Sequence, residues 1–95
     1  MEKAREATDL ANLRSAYAEC STAVLSEQDT GNATIGTDGS ASETVSIEQK
    51  KTGWTGTNDD AKIGSYAVKG LFDSSVPTSV KVTVTADGNV SITAN

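Results

Sequence analysis

Histidine is missing from this sequence, and cysteine occurs once, at Cys20. The first absence removes the commonest general base. The second excludes an intramolecular disulfide and a four-cysteine zinc site. Aromatic residues make up 4% and apolar residues 36% of 95 positions, so the chain has material for one domain with one economical core. Basic residues are also few, 8 against 13 acidic, for a net charge of −5. Lys50 and Lys51 form the only basic pair. This balance argues against nucleic acid, whose phosphates need clustered cations, and supplies no attraction to an anionic membrane. No run approaches the roughly 18 apolar residues of a transmembrane helix. The opening Met1-Glu2-Lys3-Ala4-Arg5 has neither the apolar stretch nor the small-residue cleavage site of a secretory signal. Two expectations follow: a cytoplasmic protein, or a soluble domain truncated from a longer subunit, with Met1 as an added start.

Glycine and proline are also absent from residues 2–28, which are rich in Ala, Glu, Leu and Arg, a composition that favours helix. Leu10, Leu13, Tyr17, Cys20 and Val24 recur at spacings of three and four and fall within an arc of roughly 80°. That stripe is the expected core face. Glu2, Glu6 and Asp9 complement the helix dipole at its N-terminal end, and Asp29-Thr30-Gly31 supplies a stop. The helix is expected to end between Glu27 and Gly31.

Residues 29–42 are dense in turn formers and carry one bulky apolar residue, Ile35, so they read as a loop with room for a short strand at Ile35. Residues 43–50 alternate, with Val45 and Ile47 on one face and Thr44, Ser46 and Glu48 on the other, as in a half-buried strand. Residues 51–64 read as a polar loop around Trp54. Tyr66, Val68 and Phe72 suggest a weaker strand over residues 65–72, interrupted by Gly70. The strongest β signal is a hairpin over residues 78–94, with Val80, Val82 and Val84 on one arm and Val90 and Ile92 on the other. A three-residue loop, Ala86-Asp87-Gly88, sets Val84 against Val90 and Val82 against Ile92, keeps the apolar sides together and puts Gly88 at the left-handed position. A two-residue loop would pair Val84 with Ser91 and split the apolar faces.

The fold class that results is α+β: one domain over residues 1–95, with a long N-terminal amphipathic helix packed on a 3–4-stranded antiparallel sheet over residues 43–95. A helix of 27 residues would run about 40 Å, while the stripe from Leu10 to Leu25 covers about 24 Å. The first turns, residues 2–9, are therefore expected to overhang the sheet in solvent.

The run Glu6-Ala7-Thr8-Asp9-Leu10-Ala11-Asn12-Leu13-Arg14-Ser15-Ala16-Tyr17 resembles the exposed half of the long N-terminal helix of bacterial type IV pilins and pseudopilins, and the order helix, loop, antiparallel sheet is similar over nearly the whole chain. Two departures stand out. The hydrophobic helical segment that anchors such subunits and forms the filament core is absent from these residues, and the lone Cys20 cannot close the C-terminal disulfide loop of many Gram-negative pilins. The chain looks more like a Gram-positive pilin or a pseudopilin. The resemblance implies a structural subunit and not an enzyme. It also implies a location in an extracellular, cell-surface filament, membrane-anchored before assembly, with other pilin subunits as partners through the helix. The domain on its own is then expected to be monomeric. The alternatives are a pseudopilin of a secretion or DNA-uptake system, and a small adhesin or glycan-binding module.

Each candidate site has a plain structural reading beside it. Cys20 lies on the apolar stripe and reads as an inert buried thiol. Asp59 and Asp60 offer carboxylate oxygens of the kind a calcium ion takes, in a polar loop, but no EF-hand pattern accompanies them, so neither a metal nor a cofactor is expected. Ala4, Ala7, Ala11 and Ala18, with Leu25 in line, form a second helical face about 120° from the core stripe. They serve either helix propensity or close packing against a neighbouring subunit. Trp54 is a candidate exposed contact for a glycan, although a single tryptophan in a core-poor domain more often caps a core edge. Asn32-Ala33-Thr34 and Asn89-Val90-Ser91 match the short glycosylation pattern, which carries little weight alone.

Overall fold

A computed structural model describes residues 2–50, 52, 54, 61–68, 71–72 and 75–94. The gly- and pro-free N-terminal segment forms one helix, α1 (Glu2–Ser26). Its 25 residues, at 1.5 Å each, span about 37 Å, and the helix sets the longest dimension of the molecule, 38 Å against 21 and 20 Å. The helix stops earlier than expected, and a glutamate rather than Gly31 turns the chain. Glu27 takes a left-handed conformation (φ 58°), and the Gln28 amide donates to the Ala23 carbonyl at 3.2 Å, the closing bond of a Schellman cap. Gly31 serves instead in the next tight turn, between Thr30 and Ala33, which exchange backbone hydrogen bonds at 3.1 and 2.9 Å.

Beneath α1 lies a four-stranded antiparallel sheet built from β1 (Thr34–Ile35), β2 (Ala41–Ser46), β5 (Ser79–Val84) and β6 (Val90–Ala94), in the order β1-β2-β5-β6. The segment over residues 29–42 is thus not all loop. It holds β1 and the first two residues of β2, which starts at Ala41 rather than Glu43. At the other end β2 leaves the ladder sooner than expected. Ile47 still donates to the Thr78 carbonyl at 2.9 Å, but the Glu48 and Gln49 amides turn to Asp9.

The β5–β6 hairpin has the expected register, with Val84 opposite Val90 and Val82 opposite Ile92. Its turn is held by Thr85 N to Asn89 O at 2.9 Å and Gly88 N to Thr85 O at 2.8 Å, with Gly88 at φ 90°. Alternation then gives the sheet two unlike faces. The side chains of Val45, Ile47, Val80, Val82, Val84 and Ile92 are buried under the helix, and a fully buried Val, Leu or Ile contributes about 1.5 to 3 kcal/mol. The outer face carries Ser42, Thr44, Ser46, Lys81, Thr83, Ser91 and Thr93, paired across strands as Ser42–Thr83–Ser91 and Thr44–Lys81–Thr93.

The strand expected over residues 65–72 is two residues long. β4 (Tyr66–Ala67) pairs with β3 (Lys62–Ile63) in a separate two-stranded sheet, and Phe72 sits in a turn with φ 66°. The period-2 pattern there comes from three side chains reaching one core by different routes. Ile63, Val68 and Phe72 are buried, while the Tyr66 hydroxyl donates to the Ile92 carbonyl at 3.4 Å and docks the small sheet beside β6.

The helix meets the sheet on a face rotated about 40° from the expected stripe. Leu10, Leu13 and Cys20 are buried as expected, but Ala16 and Ala23 are fully buried as well, and Tyr17 and Val24 are only half-buried. Alanine lets the helix backbone come close to the valine-rich sheet, so the larger side chains are displaced to the flanks. Tyr17 there lies over Gly64, where a β-carbon would stand 2.7 Å from its Cζ. The first turns do not overhang in solvent either. Glu6 and Asp9 are 1% and 0% exposed, and Asp9 Oδ1 and Oδ2 accept the Glu48 and Gln49 amides at 2.8 and 3.0 Å.

Candidate functional site

Two surfaces of α1 stand out from an ordinary solvent-exposed helix. The first is its outward face. Ala4, Ala7, Ala11 and Ala18 are all exposed, and Leu25, at 87%, is the one exposed large apolar side chain among the described residues. At 100° per residue an arc about 100° wide, bounded by Ala7 and Leu25 on one side and Thr8 and Ser26 on the other, contains no charged residue along the whole helix. The solvent face of a surface helix is ordinarily charged. Three of the four hydroxyls within the arc, all but Ser15, are turned inward. Thr8, Thr22 and Ser26 donate to the carbonyls of Ala4, Ala18 and Thr22 at 3.0, 2.9 and 2.8 Å. The face therefore presents methyl groups, three hydroxyls already satisfied by the helix and the hydroxyl of Ser15, and covering it would strip bound water from few polar groups.

The second surface is a groove of about 320 Å³ between α1 and the edge of β2, lined by Asn12, Ser15, Glu19, Asn32, Glu43 and Glu48 among others, with no Lys or Arg among the described lining residues. Glu43 faces the helix on the same side of β2 as Val45. Its carboxyl is pushed up to about 7, first by burial, then by its hydrogen bond with Glu19, then by the Glu19 charge. One of its oxygens, Oε1, is buried without a hydrogen-bond partner. The Glu19 carboxylate is pressed against the Gly31 backbone, in the space a β-carbon there would fill. A smaller, more apolar hollow of about 220 Å³ lies further along the helix, between Tyr17, Val24 and Leu25 and the hairpin residues Val84 and Gly88.

The other residues singled out in the sequence fall into the interior or outside the described residues. Cys20 is fully buried, and its thiol donates weakly to the Val82 carbonyl at 3.8 Å. Burial, with smaller contributions from the Glu43 and Glu19 charges, pushes the thiol up to about 11, which suppresses the reactive thiolate. Trp54 is half-buried, stacks on Phe72 with ring centroids 5.8 Å apart and donates from Nε1 to the Leu71 carbonyl at 3.0 Å. It closes an edge of the core. Asp59 and Asp60 lie outside the described residues, and among those described no group of three or more acidic or cysteine side chains is placed to hold a metal. Asn32 and Asn89 are both exposed in turns.

Sequence reasoning missed the Asp9 clamp and the Glu19–Glu43 pair. Asp9 was legible only as a helix-dipole carboxylate, because its partners are 39 and 40 residues away. Glu43 carried one available signal: in a strand whose Val45 and Ile47 face inward, residue 43 faces inward too. No protein-family model matches the chain, and no curated protein or solved structure matches it.

Proposed function

We propose that this chain is the sheet-bearing domain of a type IV pilin-like subunit, working by self-assembly into a surface filament. The observation that carries the reading is the uncharged, small-residue face of α1 described above, on the side of the helix away from the sheet. One long helix with two unlike faces can hold its own sheet on one side and a neighbouring helix on the other. Close helix packing needs small side chains and few groups that lose water. In this reading the polar outer face of the sheet is what the filament displays to its surroundings. The adhesin or glycan-module alternative relied on an exposed indole, and Trp54 spends its ring on Phe72 and its N–H on Leu71.

The test is assembly of the full-length subunit carrying Ala7→Trp or Ala11→Trp. Both positions are exposed, so the domain should fold with an unchanged far-UV spectrum while filament yield collapses. Normal filaments from both variants would overturn the assignment of this face. Genomic sequence upstream of Glu2 that lacked a long apolar segment would overturn the filament reading itself.

A further inference from the structure

The groove beside Glu43 is bounded by an unfinished sheet edge. β1 is two residues long and pairs only with Ala41 and Ser42. Beyond them, among the described residues, no strand lies against the outer side of β2. The direction of the free groups follows from one hydrogen bond. The Ile47 amide points to Thr78, on the β5 side, and antiparallel backbone groups alternate in direction, so the N–H and C=O of Thr44 and Ser46 point away from β5, into the groove. Glu48 would be next in the series, but its amide is taken by Asp9. The open edge is therefore a short, defined stretch with a pair of donors and a pair of acceptors, and an uncovered edge of this kind is a template for another strand.

What could fill it is decided by charge. Glu19, Glu43 and Glu48 line the groove with no described basic residue among them, and Glu43 Oε1 is a buried acceptor with no donor. A second copy of this chain paired edge to edge would bring two acidic grooves side by side, in a chain already at −5, which is unfavourable. A lysine or arginine entering between Glu19 and Glu43 would supply the missing donor and remove the repulsion between them. We propose that the β2 edge at Thr44 and Ser46 is a strand-addition site for an extended segment of another polypeptide that carries basic side chains on the face turned toward the helix. The backbone ladder gives the affinity, and the carboxylates set the specificity, as in other strand-addition interfaces. This inference stands apart from the filament reading, which concerns the outward alanine face of α1, next to the groove.

The experiment uses the 95-residue chain and the peptide acetyl-Thr-Lys-Val-Lys-Thr-amide, followed by amide chemical shifts and hydrogen exchange. Binding should move and protect the Thr44 and Ser46 amides, and exchanging both lysines for glutamate should abolish it. Two alternately N-methylated versions of the peptide separate a ladder from simple charge attraction, because in a strand only alternate amides face β2. One version should bind like the parent and the other at least about tenfold more weakly, since it loses the donors on that edge. The double variant Glu19→Gln, Glu43→Gln, with its circular dichroism unchanged, should bind the parent peptide about fivefold or more weakly. The proposal is overturned by equal affinity for both N-methylated versions, by no shift at Thr44 and Ser46 at millimolar peptide, or by light scattering that shows the chain dimerising through this edge. The peptide comparisons need no variant, so a misfolded variant leaves the test intact.

Discussion

Asp9 Oδ1 accepts the backbone amide of Glu48 at 2.8 Å, with its second oxygen on Gln49 at 3.0 Å, and so ties the third turn of the helix to the point where β2 leaves the sheet. These are charge-assisted bonds to a buried group, each about 1.5 to 3 kcal/mol, and removing the acceptor leaves two amides unsatisfied. Asp9→Ala should destabilise the chain by about 3 kcal/mol and Asp9→Asn, which keeps one acceptor, by about half as much. Urea unfolding measures both. Hydrogen exchange should show the loss concentrated in the first three turns of α1 in the alanine variant. A uniform loss over the whole helix would mean that the clamp does not act locally.

The two glycines at hairpin turns test packing against backbone preference. Gly64 and Gly88 both have positive φ, 62° and 90°, but a β-carbon at 64 would meet the Tyr17 ring at 2.7 Å, and at 88 it would meet nothing within 4 Å. Gly88→Ala should cost about 1 to 2 kcal/mol from the backbone alone, and Gly64→Ala about 3 kcal/mol. In a Tyr17→Ala background the cost of Gly64→Ala should fall to about the backbone figure. If the cost is the same in both backgrounds, the ring is not what opposes the added methyl.

Glu43 makes stability depend on pH in an unusual direction for a carboxylate. Burial, the bond with Glu19 and the Glu19 charge raise its carboxyl from 4.5 to about 7, so between those values the folded chain keeps a proton that the unfolded chain releases. The stabilisation is complete below about pH 4.5 and lost as the pH rises through about 7. Solvent screening of this half-buried pair limits the effect to at most ~1 kcal/mol. The urea midpoint should therefore fall between pH 5 and pH 8 in the native sequence and fall less in Glu43→Gln. Parallel pH profiles for the two proteins would exclude Glu43 as the source.

Cys20 should be silent until the domain opens. With the thiol raised to about 11, roughly one molecule in a thousand is ionised at pH 8, and the sulfur is enclosed besides. A disulfide exchange reagent should label it at a rate that tracks global unfolding and rises with urea. Rapid stoichiometric labelling of the native chain would show that α1 lifts from β5 without unfolding.

How far the fold was legible depended on whether a residue's partner lay near it in the sequence. The hairpin register could be argued in full, because Val82, Val84, Val90, Ile92 and Gly88 all belong to one local unit. Helix α1 was legible as an element, but its packed face only in part: Leu10, Leu13 and Cys20 are buried as the pattern implies, Tyr17 and Val24 only half. A hydrophobicity pattern weights Tyr17 and Val24 above Ala16 and Ala23, whereas close contact with a valine-rich sheet selects for small size. Tyr66, Val68 and Phe72 satisfied an alternation that the backbone does not follow, since Phe72 reaches the core from a left-handed turn. The candidate surfaces divide in the same way. The alanine face is a property of one helix and was readable, while the acidic groove exists only because residue 19 meets residue 43.

The outer face of the sheet has an evolutionary consequence. Ser42, Thr44, Lys81, Thr83, Ser91 and Thr93 point away from the core and touch mainly one another across the strands, so each can change at a cost of about 1 kcal/mol or less in cross-strand pairing while the inward side chains stay as they are. That surface could therefore be rewritten position by position on an unchanged frame.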